Sequence, residues 1–130
     1  MVIQLGPHQV EIENDIVITR LHGTFTQEQM KQWCRIMDGV IAEHDGAFSI
    51  GDYRGAGSIP PETRRLAGEW PGSAKMKGMI IFGASPVVRV IMTMIVRAGA
   101  LLKNFMAPTA FVTTEAEARA CVEELRAKKR

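Results

Sequence analysis

The chain has 130 residues, of which 23% are charged and 46% apolar, with a formal net charge of +2. That is one domain with room for a real core, and its composition is globular rather than disordered. Part of the positive charge sits in the terminal Lys128-Lys129-Arg130, and no arginine-rich helix or aromatic-interleaved basic stripe accompanies it, so the chain does not read as a nucleic-acid binder.

The N-terminal MVIQLGPHQVEIEN lacks a basic start followed by an apolar run, so it does not read as a signal peptide. Apolar and polar residues alternate over His8–Glu13 and again over Ile16–Leu21, with Asn14-Asp15 as turn residues between them. This predicts a β-hairpin, with Val2–Leu5 leading into it. Thr26, followed three residues later by Gln29, predicts a capping box and a helix running to about His44. On that helix Met30, Trp33, Met37, Val40 and Ile41 share one side at helical spacing.

His44-Asp45-Gly46 ends the helix, and Ala47–Tyr53 reads as a buried strand. The loop RGAGSIPP follows until Pro61 opens a short helix, with Leu66 and Trp70 facing inward. Met79–Phe82 is the next buried strand. Ser85-Pro86 starts a long helix as N-cap and first helical residue. Ala110–Val112 is a short last strand. Thr114 and Glu117 cap a closing helix to about Ala127, with Ala118, Cys121, Val122 and Leu125 inward.

The order β-β-α-β-α-β-α-β-α predicts crossover connections and one mixed, mostly parallel sheet of about five strands with four flanking helices. The whole of 1–130 is one domain, its core at about 8–127. Two cysteines, Cys34 and Cys121, lie on apolar helix sides without a CxxC spacing. They imply packing roles, no disulfide and a reducing, cytoplasmic setting.

In this order the segments IVITRLHGTFTQEQM, FSIGDYRGAG, PPETRRLAGEW, GMIIFGAS-PVVR and AFVTTEAEARACVEEL resemble the STAS family, the anti-sigma-factor-antagonist-like domains, in a divergent bacterial STAS/Sec14-like branch. The resemblance covers about Val10 to Leu125. It implies a STAS-like α/β fold and a non-enzymatic module that regulates through protein–protein binding. Regulatory members switch partners when a Ser or Thr is phosphorylated at the start of the helix after the central strand. Here that region is Asp52 to Pro61, and Ser58 is the candidate. The family's Asp-Ser-Gly-type signature is absent, and Gly57-Ser58-Ile59-Pro60-Pro61 stands in its place.

Read for chemistry, the residues point away from catalysis. His8, His22 and His44 fall on different elements without a partner at ligand spacing, which predicts no metal site and exposed or locally capping rings. Neither cysteine has a cationic neighbour in sequence, and no carboxylate pair recommends itself. No enzyme activity and no cofactor is expected.

Glycines between a parallel strand and a helix can cradle an anion, but Gly51–Ser58 matches neither the phosphate-binding lysine loop nor the dinucleotide fingerprint. Its ordinary reading is a flexible turn. Its functional reading is a regulatory or ligand-facing loop, with Arg54, Arg64 and Arg65 as nearby charge. Ligands of open α/β sheets sit beyond the carboxyl ends of adjacent strands, so a site here would use Arg54, Ser58, Ser85 and Arg89. For Arg89 the ordinary reading is a plain surface charge.

The segment SPVVRVIMTMIVRAGALLKNFM, 85–106, is too interrupted by Arg89, Arg97 and Lys103 to span a membrane. With Arg89, Thr93, Arg97, Ala100 and Asn104 as an outer stripe, the core face takes Ile91, Met94, Ile95, Ala98, Leu101, Leu102 and Phe105. Val90, Met92 and Val96 then border the stripe, only partly buried. The readings are a core helix, a self- or partner-binding surface through those three residues, and an apolar ligand site. The expected function is a cytoplasmic interaction module with a protein partner, with homodimerisation plausible. The alternative is a carrier or sensor of a small-molecule or lipid-like ligand.

Overall fold

The computed structural model describes residues 1–101 and 107–128, and the side chains of all of these except 96 and 98–101. It contains one six-stranded sheet in the order β1-β2-β3-β4-β5-β6. The strands are β1 (Val2–Leu5), β2 (His8–Glu13), β3 (Ile16–Gly23), β4 (Ala47–Ala56), β5 (Met76–Phe82) and β6 (Thr109–Val112). The first three pair antiparallel, and β3 through β6 pair parallel. The sheet is therefore mixed and mostly parallel, as expected, with Val2–Leu5 as an additional edge strand.

Helices α1 (Gln27–His44), α2 (Pro61–Glu69) and α3 (Pro86–Leu101) each connect two parallel strands, and a 3-10 turn, Pro71–Lys75, precedes β5. Strands that add in sequence order on one side, joined by crossovers of one hand, place their helices on one face. Contacts of α1 with α2 and of α2 with α3 follow from that arrangement. The closing helix α4 (Glu115–Lys128) packs on β4 and β5 from the opposite face.

Local signals account for the helix ends. Thr26 accepts from the Gln29 N–H while the Gln29 side chain accepts from the Thr26 N–H, the reciprocal cap the sequence predicts. At the other end Asp45 takes the left-handed conformation, φ 53°, and its N–H returns to Ile41.

Two layers of core result. On the α1–α3 side Val10, Val17 and Leu21 pack with Met30, Trp33 and Met37. On the α4 side Ile18, Phe48, Ile50, Ile80 and Phe82 pack with Ala118 and Val122. Met37 and Val122 are fully buried, and truncating such a methionine to alanine typically costs about 2–5 kcal/mol.

His8 departs from expectation. Its ring is fully buried rather than exposed. Nδ1 accepts the His22 N–H at 2.9 Å, which leaves Nε2 to donate to the Thr24 carbonyl and Gln29 Oε1, each at 3.0 Å. It is the polar joint between β2, the end of β3 and the first turn of α1. Sequence spacing missed it because its partners are backbone groups and an amide, not acidic or histidine residues.

Candidate functional site

The carboxyl ends of β3, β4 and β5 converge, because Arg20 lies opposite Asp52 and Asp52 opposite Phe82. β4 runs three residues past the expected end at Tyr53. A bulge between Arg20 and His22 shifts the register so that His22 pairs Gly55 and Gly23 pairs Ala56. The Gly57 N–H then donates to the Gly23 carbonyl at 2.8 Å, and the Phe25 N–H to the Ser58 carbonyl at 3.1 Å. Gly55 is required here, since a Cβ would lie 2.8 Å from the Leu21 carbonyl oxygen. Much of the predicted glycine loop is thus ladder.

On the α4 face, Asp52 is the centre of a charge cluster. Arg54, two residues on and on the same face, donates Nε to Asp52 Oδ1 at 3.0 Å and Nη2 to Oδ2 at 2.9 Å. Arg20 reaches Asp52 at 3.3 Å and also bonds Glu11 and Glu115. Burial alone would push the Asp52 carboxyl up, but the bonds from Arg54 and Arg20 hold it below the ordinary carboxylate range. The Arg54 guanidinium also lies 5.4 Å from the Phe82 ring centroid. Sequence reasoning passed over Arg20, Asp52 and Glu115 as a group. The available signal was Arg20 itself, a cation inside the alternating strand IVITRLHG.

The four candidates at the strand ends have different partners. Arg54 is taken up by Asp52. Ser58 is exposed, with its hydroxyl 3.1 Å from that of Thr24 at the end of β3. Ser85 accepts the Val88 N–H at 3.3 Å, the cap the sequence predicts for α3. Arg89 is exposed and lies over the Phe111 ring of β6 at 5.2 Å. The strand ends adjoin, since a Cβ on Gly83 would meet Arg54 Cγ at 2.4 Å, yet the four side chains serve separate contacts.

The orientation of α3 is corrected by about a quarter-turn. Val88 and Met92 are buried, at 8% and 6% exposure, while Val87, Val90 and Met94 are exposed at 69%, 60% and 56%. Met92, expected beside the outer stripe, lies in the core and accepts a hydrogen bond from the Tyr53 hydroxyl at 3.5 Å. Met94, expected in the core, is outside. The error came from centring the polar face on Arg89. Its stem leans sideways along Phe111, so its charge reaches water from the flank. The side chain of Val96 and the residues Leu102 and Phe105 lie outside the described residues. A shallow groove between α3 and β6 is lined by Arg89, Val90, Thr93, Met94, Arg97 and Phe111.

Among the described residues no group of three His, Cys, Asp or Glu side chains is placed to hold a metal. No described helix is long and apolar enough to cross a membrane. Cys34 and Cys121 are free thiols.

These features define an α/β fold of STAS type. The solved structure of the anti-sigma factor antagonist SpoIIAA in its unphosphorylated form superposes with a TM-score of 0.62 over 89% of this chain and 97% of that one, at 18% identity. An uncharacterized protein of the DUF3478 family with a SpoIIAA-like fold, from Shewanella loihica PV-4, superposes with a TM-score of 0.57, covering 87% of this chain and 89% of that one at 13% identity. No protein-family model matches the sequence. No curated protein matches it either.

Proposed function

We propose that this chain is a non-catalytic module of the cytoplasm that regulates by binding another protein, with the outer face of α3 as its docking surface. The observation that carries this reading is the exposure of Val87, Val90 and Met94 together, flanked by the exposed cations Arg89 and Arg97. Isolated surface hydrophobes need no explanation, but three on one helix face beside a groove do. An apolar centre with a cationic margin suits an apolar partner segment bordered by acidic residues, whereas a second copy would match the apolar centre alone. Methionine at the centre tolerates imperfect fit. The STAS-like fold supports the same reading, since one solved structure of this fold is an anti-sigma factor antagonist.

Within this reading Ser58 is the regulatory hydroxyl. It is exposed, lies between the end of β4 and Pro61, and its hydroxyl meets that of Thr24 alone among the described side chains. A phosphate there adds about two negative charges and three acceptors at the approach to α2.

The test combines sedimentation with affinity capture from the native cytosol, using wild type and the double variant Val90→Glu, Met94→Glu. The variant is expected to keep its circular dichroism and melting temperature while losing the captured protein or the dimer. Unchanged association in the folded variant removes α3 from the interface. Phosphopeptide mapping that never finds phosphate on Ser58 removes the switch.

A further inference from the structure

A partly enclosed hollow lies between the sheet and the three crossover helices, and its origin is visible in β4. The residues of β4 facing α4 are large, Phe48 and Ile50, whereas those facing the crossover helices are Ser49 and Gly51. The floor of that face therefore drops between Leu21 on β3 and Ile81 on β5. Gly51 leaves space that Tyr53 folds into, since a Cβ there would meet Tyr53 Cε1 at 2.5 Å. The helices cover the depression with Trp33, Ala67, Trp70 and Met92 without filling it. The remaining cavity is about 60 Å³, where one water needs about 10–15 Å³.

Its chemistry is specific. Among the described residues no Lys, Arg, His, Asp or Glu lines it. Three thioethers (Met30, Met79 and Met92) and the aromatic side chains make up much of the wall, and a charged ligand would lose its hydration there without a counter-charge. Three hydroxyls reach the wall. Thr19 already accepts from the Trp33 indole at 2.9 Å, and Ser49 is 5% exposed. The Tyr53 hydroxyl donates to the Met92 sulfur at 3.5 Å, a weak acceptor for the hydroxyl of a partly buried phenol. Burial accordingly pushes the Tyr53 phenol up from its ordinary value.

We infer that this cavity is a binding site for a compact, neutral, apolar molecule carrying one acceptor oxygen, which takes the hydrogen of the Tyr53 hydroxyl in place of the Met92 sulfur. The apolar body fills the depression over Ser49 and Gly51, and the thioether of Met92 is free to rotate aside. A mostly apolar cavity of this kind takes up small apolar molecules, and the hydroxyl adds a preference for the oxygen-bearing ones. Among the described residues the wall offers no cation, which a site for a fatty acid or a phosphate headgroup would need. It is independent of the docking face, which lies on the outside of α3.

Cyclohexanol is the probe, with methylcyclohexane as its oxygen-free counterpart. The chain's two tryptophans, Trp33 and Trp70, both line the cavity, so their emission reports occupancy directly. Cyclohexanol is expected to change that emission saturably and to raise the melting temperature. Tyr53→Phe should weaken cyclohexanol about threefold to tenfold and leave methylcyclohexane unchanged. Ala67→Phe, which fills the hollow from α2, should remove both responses while the far-ultraviolet dichroism stays that of wild type. If that variant does not fold, Ser49→Leu fills the hollow from the sheet. Absence of a saturable response in folded wild type, as expected if ordered water alone occupies the space, overturns the inference. An equal response in a folded, filled variant does so too. Equal cyclohexanol affinity in wild type and Tyr53→Phe overturns the role of the oxygen.

Discussion

Arg20 Nη1 donates to Glu115 Oε1 at 2.8 Å, which ties the third strand to the first turn of the last helix. The same guanidinium bonds Glu11 on β2 and Asp52 on β4. One cation, with its side chain 22% exposed, thus joins three neighbouring strands and α4.

Arg20→Met leaves three carboxylates facing one another, with Arg54 and Arg119 the cations that still pair with them among the described residues. Breaking a partly buried pair from the cation side is more damaging than its net worth, because the anions are left uncompensated. The expected loss is about 2–4 kcal/mol in urea denaturation, discounted from a fully buried site for solvent screening. Glu115→Gln should cost less, since the cation keeps two partners. An Arg20→Met protein as stable as wild type would show that the network contributes nothing net.

Acid should unfold the chain through its paired carboxylates. Burial raises the Asp15 carboxyl, but bonds from Arg126 and Lys77 outweigh it and hold the group below its ordinary range. Arg119 bonds lower Glu13, and Arg20 bonds lower Glu115, while Asp52 is lowered by Arg54 and Arg20. A folded value below the unfolded one means that the folded state binds fewer protons in acid. The stabilisation is complete above the unfolded values, near about 4, and is lost as pH falls through the depressed folded values. The carboxylate contribution to the urea midpoint should be flat above about pH 5 and decline below about pH 4. Asp15→Asn should shallow that decline, and an unchanged slope would place the acid sensitivity elsewhere.

The two methionines on α3 should behave oppositely. Met92→Ala removes a core side chain and should cost about 2–5 kcal/mol, whereas Met94→Ala should lie within about 0.5 kcal/mol of wild type. Thermal or urea unfolding of the two variants decides it. Equal losses would mean that the helix is rotated from the orientation described.

Cys34 should be nearly inert in the folded state. Burial, with a smaller contribution from the Asp38 charge, pushes its thiol up to about 12, so almost no thiolate is present near neutral pH. Half-buried Cys121 should take up an aromatic disulfide reagent first, and Cys34 only on unfolding. Fast, equal labelling of both thiols in the native protein would contradict this.

What the sequence determined by itself were the features written in local chemistry. Thr26 with Gln29, His44-Asp45-Gly46 and Ser85-Pro86 set helix ends through bonds within a turn, and the alternation over His8–Glu13 and Ile16–Leu21 set the hairpin. Their order sufficed for the mixed sheet, and the STAS-like fold was what the resemblance of the quoted segments implied. The tertiary structure alone decided what depends on a neighbour distant in the chain. The bulge near Leu21 turned the glycine loop into strand, and backbone partners at Thr24 and His22 buried His8. Phe111 drew Arg89 to the flank of α3, a helix apolar on both sides and therefore without a self-evident orientation. The Arg20 cluster joins β2, β3, β4 and α4, so no spacing along the chain announces it. The cavity has the same cause: Ser49 and Gly51 are small on one face of a strand whose other face is full, and only the packing of three helices shows that the described residues leave the difference unfilled.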